Sequence, residues 1–163
     1  MIIVRLSGGL GNQMFQYAAA RRLAYFNGAL LKLDVSHFGR NPVRTFALGS
    51  FNIQAAIASP KEVAWFNGRE KVRYLKSLLH SLYPNLYWKW VSQRSGYFDP
   101  IILTLKGNVY LDGVWQGERY FRDIVPVLLE KLKVREELDW PNRAISEQIR
   151  QVESVSLHIE RGD

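Results

Sequence analysis

An apolar, β-branched run, Ile2, Ile3 and Val4, is followed closely by three glycines in four positions and then by a helical pattern that reaches about Phe26. Such a run predicts a buried parallel strand, and its glycine-rich exit into a helix predicts a strand, loop and helix at the head of an α/β chain. Gly8, Gly9 and Gly11 carry no side chain, so their N–H groups can be approached closely and φ can turn positive. The N–H groups of a helix's first turn lack intrahelical partners and lie at the positive end of its dipole, which makes this loop a candidate phosphate cradle. Asn12 and Gln13 add amides at the same place. A tight strand-to-helix turn that holds no ligand would use the same letters.

Two phosphate-binding loops can be compared with these residues. A P-loop requires Gly-Lys-Ser/Thr, and Gly11 is followed by Asn12 and Gln13, which excludes it. The dinucleotide fingerprint fits better, with Gly9 and Gly11 in its first two positions and Asp34 about 20 residues on, but Met14 fills the third glycine's place. An NAD(P)-binding Rossmann domain therefore stands as an alternative. Read whole, residues 8–18, GGLGNQMFQYA, resemble the N-terminal motif of the bacterial α-1,2-fucosyltransferases, glycosyltransferase family 11.

The 163 residues, 47 % hydrophobic and 13 % aromatic, suffice for a real core and exclude a disordered chain. With no cysteine, a disulfide framework and a thiolate metal site are both excluded, in keeping with a reducing cytoplasm. No apolar run is long enough to span a membrane, and Met1 stands directly before the first strand without a basic leader, so export is not expected. Residues 1–100 carry 13 Lys and Arg against 4 acids, whereas residues 101–163 carry 9 against 11. The first part thus faces anions: nucleic acid, anionic lipid or a sugar nucleotide. No nucleic-acid-binding module is recognisable, which sets nucleic acid aside.

Further along, residues 29–35 read as a second strand ending near Asp34, and residues 41–59, with Arg44, Phe46, Leu48 and Phe51, as an irregular excursion onto the core. Pro60 opens a short helix to about Phe66. A basic amphipathic helix is expected over residues 72–83, with Arg69, Lys71, Arg73 and Lys76 around an apolar stripe and Tyr83, Tyr87, Trp88 and Trp90 trailing. It reads either as an ordinary helix with a solvated charged face or as a peripheral contact, through residues 69–83, with the inner membrane or a partner. Asp99 and Pro100 start a helix to about Leu105, and residues 109–111 read as a third strand. A loop follows in which Asp112, Trp115 and Gln116 are candidates for the acceptor side, although Trp115, Tyr120 and Phe121 could simply pack. Residues 122–132 read as a helix interrupted near Pro126. Asp139 then caps a final helix whose inward stripe is Ala144, Ile145, Gln148, Ile149 and Val152. The repeated alternation of strand and helix implies α/β architecture with a Rossmann-like parallel sheet.

Residues 154–160 alternate strictly, with Val155, Leu157 and Ile159 on one side and Ser156, His158 and Glu160 on the other, and predict a strand with one polar face. Residues 1–153 are accordingly expected to form one domain and 154–163 the first strand of a second, which the resemblance of residues 158–163 implies is a C-terminal nucleotide-binding domain. HIERGD at 158–163 resembles the fucosyltransferase signature His-x-Arg-Arg-Gly-Asp, with Glu160 where its first arginine belongs.

The resemblance implies the N-terminal half of a two-domain GT-B enzyme that moves L-fucose from GDP-fucose to the 2-hydroxyl of a galactoside with inversion. It implies no metal and no cofactor beyond the donor, since fixed cations can stabilise the departing diphosphate. On that reading Gly9, Gly11, Asn12 and Gln13 approach the donor from one side, and His158, Arg161 and Asp163 from the other. Asp112, Glu118 and Asp34 are candidates, by residue type, for the base that takes the acceptor's proton. A glutamate at 160 and a chain that ends inside the donor motif imply little activity for these 163 residues alone.

Overall fold

A computed structural model describes residues 1–39, 43–66, 88–93 and 97–157. The helix expected at 72–83 and the residues His158, Glu160, Arg161 and Asp163 lie outside the described residues. The elements are β1 (Ile2–Arg5), α1 (Leu10–Phe26), β2 (Leu31–Asp34), β3 (Ala56–Ile57), α2 (Pro60–Phe66), β4 (Trp88–Ser92), β5 (Asn108–Asp112), α3 (Val125–Lys131) and α4 (Trp140–Gln151).

Among the described residues the sheet has five strands in the order β3-β2-β1-β5-β4, and every pairing is parallel. β1 is the central strand, between β2 and β5. This is the α/β architecture that the sequence implies. Side chains alternate across the sheet. Val4, Leu33 and Leu111 face α1 and pack on Tyr17, Ala20 and Leu23, while Ile3 and Tyr110 face the other way, onto Ala58 and Phe66 of the α2 side. Cover on both faces explains why Ile2, Ile3 and Val4 of β1 are all apolar rather than alternating. Each side chain fully buried here contributes about 1.5–3 kcal/mol relative to an exposed one.

Local rules place the helix ends. Ser59 and Glu62 form a capping box at α2: Glu62 Oε2 accepts from the Ser59 N–H at 2.9 Å, and Ser59 Oγ accepts from the Glu62 N–H at 3.3 Å. Pro126 does not interrupt a long helix. A 3-10 turn at Arg122–Ile124 precedes it and Pro126 falls in the first turn of α3, where its missing N–H costs nothing. Residues 100–105 form a 3-10 turn, Pro100–Thr104, rather than an α-helix. The excursion at 41–59 contains a 3-10 turn and β3, and the aromatic stretch around Trp90 is β4, neither of which the sequence patterns reveal.

The chain divides into two compact units, 1–133 and 134–163. The first holds all five strands and α1 to α3. In the second, Asp139 caps α4 as expected, accepting from the Asn142 N–H at 3.0 Å. Its expected inward stripe is uncovered, however: no residue of α4 is buried, and Ile145 and Ile149 are half-exposed. Residues 154–157 carry no strand and are exposed. Alternation supplies a strand's face but not the neighbouring backbone that must satisfy its N–H and C=O groups.

Candidate functional site at the carboxyl edge of the sheet

The glycine loop leaves β1 at the centre of the sheet's carboxyl edge, where ligands of open α/β sheets bind. Gly8 has φ +74°, which favours glycine, and a Cβ there would lie 2.5 Å from Asn12 Nδ2 and displace that side chain. Gly9 is the N-cap of α1, no side chain caps the helix, and its first turn holds no acid. The guanidinium of exposed Arg44 stands beside it: Arg44 Nη1 is 3.8 Å from where a Gly9 Cβ would lie. Gly11 is exposed and Asn12 half-buried. A cation, an open helix N-terminus and a bare backbone therefore converge here, a combination suited to an anion.

Gln13 does something else. It is fully buried, with Nε2 donating to the Gly8 and Thr45 carbonyls at 3.0 and 2.9 Å and Oε1 accepting from the Ala47 N–H at 2.9 Å. It staples the glycine loop to the segment that carries Arg44 and offers no amide to a ligand. Gln16, one turn on, is buried equally. Its Oε1 accepts from the Ser7 N–H at 2.9 Å, and its Nε2 donates to Ser7 Oγ at 3.0 Å and to the Gly113 carbonyl at 3.1 Å. It thus joins the loop after β1 to the loop after β5. The sequence signal for it was a lone amide beside the apolar run Tyr17 to Ala20.

The second loop meets the first directly, since Gln116 Nε2 donates to Asn12 Oδ1 at 2.6 Å. Gln93, just past β4, holds that loop by accepting from the Val114 and Trp115 N–H groups at 3.0 and 2.9 Å. Trp115 is placed in the core rather than on a surface: it is buried, edge-on to Tyr120, at φ +51°. Its indole N–H has no partner among the described residues.

On the α2 face of the same edge, the parallel registers align the last residues of four strands. Arg5 pairs with Asp34 in register, and Ser92 with Asp112. Arg5 Nη1 contacts Asp112 Oδ1 at 3.3 Å. Below that row the Trp90 and Tyr110 rings stack, 4.0 Å apart and 15° from parallel. The Tyr110 hydroxyl donates to Asp34 Oδ2, and the Ser36 N–H donates to Asp34 Oδ1 at 2.9 Å. Burial first, and the Asp34 carboxylate next, push the Tyr110 hydroxyl well above the usual phenol range. These groups border a cleft of about 750 Å³ that includes Arg5, Asp34, His37, Val63, Trp90 and Tyr110.

The three carboxylates considered as bases are thus in different situations. Asp34 is buried with both oxygens engaged; Asp112 is partly exposed beside Arg5; and Glu118 pairs with Arg122 at 3.3 Å on an exposed turn. Met14 packs against the core. Among the described residues no three His, Asp or Glu side chains are grouped as metal ligands, and no helix is long and apolar enough to cross a membrane.

A five-stranded parallel sheet flanked by helices, with two loops joined over its central strands, defines a Rossmann-like α/β domain of the kind glycosyltransferases use. The chain is 34 % identical over 173 aligned positions to the alpha-1,2-colitosyltransferase of Escherichia coli. That alignment takes in all of this chain and 55 % of the relative, so the chain spans about half the length of the protein it matches. The chain is therefore homologous, end to end, to part of a glycosyltransferase. No family model matches it, and no solved structure does.

Proposed function

We propose that the chain is the acceptor-side half of an inverting, metal-independent glycosyltransferase that moves L-fucose from GDP-fucose to the 2-hydroxyl of a galactoside. The end-to-end similarity to an α-1,2-glycosyltransferase carries this reading. The fucosyltransferase-like motif of residues 8–18 supports it, because its amides build the junction at the sheet's edge: Asn12 receives Gln116 from the second loop, and Gln16 fixes both loops. Arg44 and the open start of α1 are suited to the donor's diphosphate, and Asp112 is the carboxylate best placed to meet an acceptor hydroxyl. The relative's name makes a colitosyl group the competing donor sugar.

The test joins this chain to the remaining sequence of the relative and measures GDP released from GDP-fucose with a galactoside, with and without Glu160→Arg. Turnover is expected in the joined protein and is expected to rise with Glu160→Arg. A charge-assisted hydrogen bond contributes about 1.5–3 kcal/mol, so the rise should be about tenfold or more. The 163 residues alone should release little GDP with either residue at 160. Robust release by the unextended chain would overturn the assignment of donor contacts to 158–163, and transfer of a colitosyl group but not fucose would correct the donor.

A further inference from the structure

We infer that the cleft on the α2 face is a binding site for a hexopyranoside, the acceptor sugar of the proposed reaction. This rests on the reading of the chain as a glycosyltransferase, which does not by itself say where the acceptor lies. A pyranose has one face of C–H groups and a rim of hydroxyls. It therefore needs a flat, electron-rich apolar surface with polar groups at the edge. The cleft is built that way. Its floor is the partly exposed Trp90 ring, backed by the buried Tyr110 ring stacked 4.0 Å away, and its wall on the α2 side is Ala58, Val63 and Ala64.

The floor is held at both polar ends. Trp90 Nε1 donates to Ser92 Oγ at 2.8 Å, and the Tyr110 hydroxyl donates to the buried Asp34 carboxylate. Neither ring needs to reorient to receive a sugar, so little ordering cost remains at binding. The rim is charged and not exhausted: Arg5 lines the cleft and touches its neighbour Asp112 through one contact at 3.3 Å, and both are partly exposed. Guanidinium donors and a carboxylate oxygen are left to meet hydroxyls. About 750 Å³ is also within the range of small-molecule sites, roughly 300–1,000 Å³. Position agrees with chemistry, because Arg5 ends β1 and the glycine loop begins three residues later, so a sugar here lies along the same sheet edge as the anion-facing loop.

The experiment is saturation-transfer NMR on the 163-residue chain with methyl β-D-galactoside, in parallel with GDP. Transfer to the ring C–H protons is expected, with GDP unable to displace the sugar. Ala64→Trp is the deciding variant: Ala64 is an exposed residue on the cleft wall, so an indole there fills the cleft without opening the core. It should weaken the sugar signal about tenfold or more, equivalent to about 1.4 kcal/mol, at an unchanged melting temperature. Trp90→Phe should weaken it less, since a smaller stacking face remains. Sugar binding untouched by Ala64→Trp, or no sugar binding by a folded chain, overturns the inference. Displacement of the sugar by GDP also overturns it, by making the cleft a nucleotide site. The two readings separate cleanly, because sugar binding at the cleft without GDP release by the joined protein would leave the site standing and remove the proposed reaction.

Discussion

Gln13 and Gln16 show how a ligand-like letter can become a structural one. Both are amides in a motif that suggests a ligand, and both are fully buried with their polar atoms spent on backbone and Ser7. Gln16→Leu keeps the volume but strands the Ser7 N–H and the Gly113 carbonyl. Each buried group left unsatisfied costs about 1–3 kcal/mol. The variant should lower the urea midpoint with little change in slope, as read by tryptophan fluorescence. Glu62 gives a second residue-scale test. Hydrogen bonding first to Lys32, then to the Ser59 N–H and hydroxyl, pulls its carboxyl down to about 2 in the folded chain. A folded value below the unfolded one stabilises above the unfolded value, in the ordinary carboxylate range, and that contribution is lost as pH falls toward about 2. Thermal melts from about pH 5 downward should therefore fall more steeply for the natural chain than for Glu62→Gln. Parallel curves would show that the Lys32 pair contributes nothing.

At the scale of elements, period and capping were readable wherever the deciding interactions are local. The Asp139 cap, the Ser59 and Pro60 start and the helix to Phe26 depend on residues within a turn of one another. β4 was not readable, because Trp88 to Ser92 is a strand only through its pairing with β5 across 20 positions of sequence. β3 is two residues long and rests on β2 in the same way. On α4 a clear pattern is present but the surface it calls for is not supplied by the unit that contains it; residues 154–157 carry no strand, and the rest of that alternating pattern, 158–160, lies outside the described residues.

At the scale of the molecule, every strand among the described residues lies within residues 1–133. The sequence places a division at 153/154, and the compact units meet at 133/134. Residues 1–133 expressed alone should melt cooperatively, with the same near-ultraviolet circular dichroism as residues 1–153. Loss of that cooperativity would place the domain boundary at the end of the α4 segment instead.

By itself the sequence determined an α/β chain with a strand, a glycine loop and a helix at its head, because β-branched runs, side-chain-free turns and helical periods act over a few residues. It also determined the resemblance to a fucosyl-transferring family, through letters that lie together in the chain. Only the tertiary structure decided which of those letters face a ligand. Asn12 meets Gln116, Arg5 meets Asp112 and Tyr110 meets Asp34 over separations of 76 to 107 positions. Such meetings are fixed by the order and register of parallel strands, which bring distant carboxyl ends to one edge, and no local period in the chain records that order.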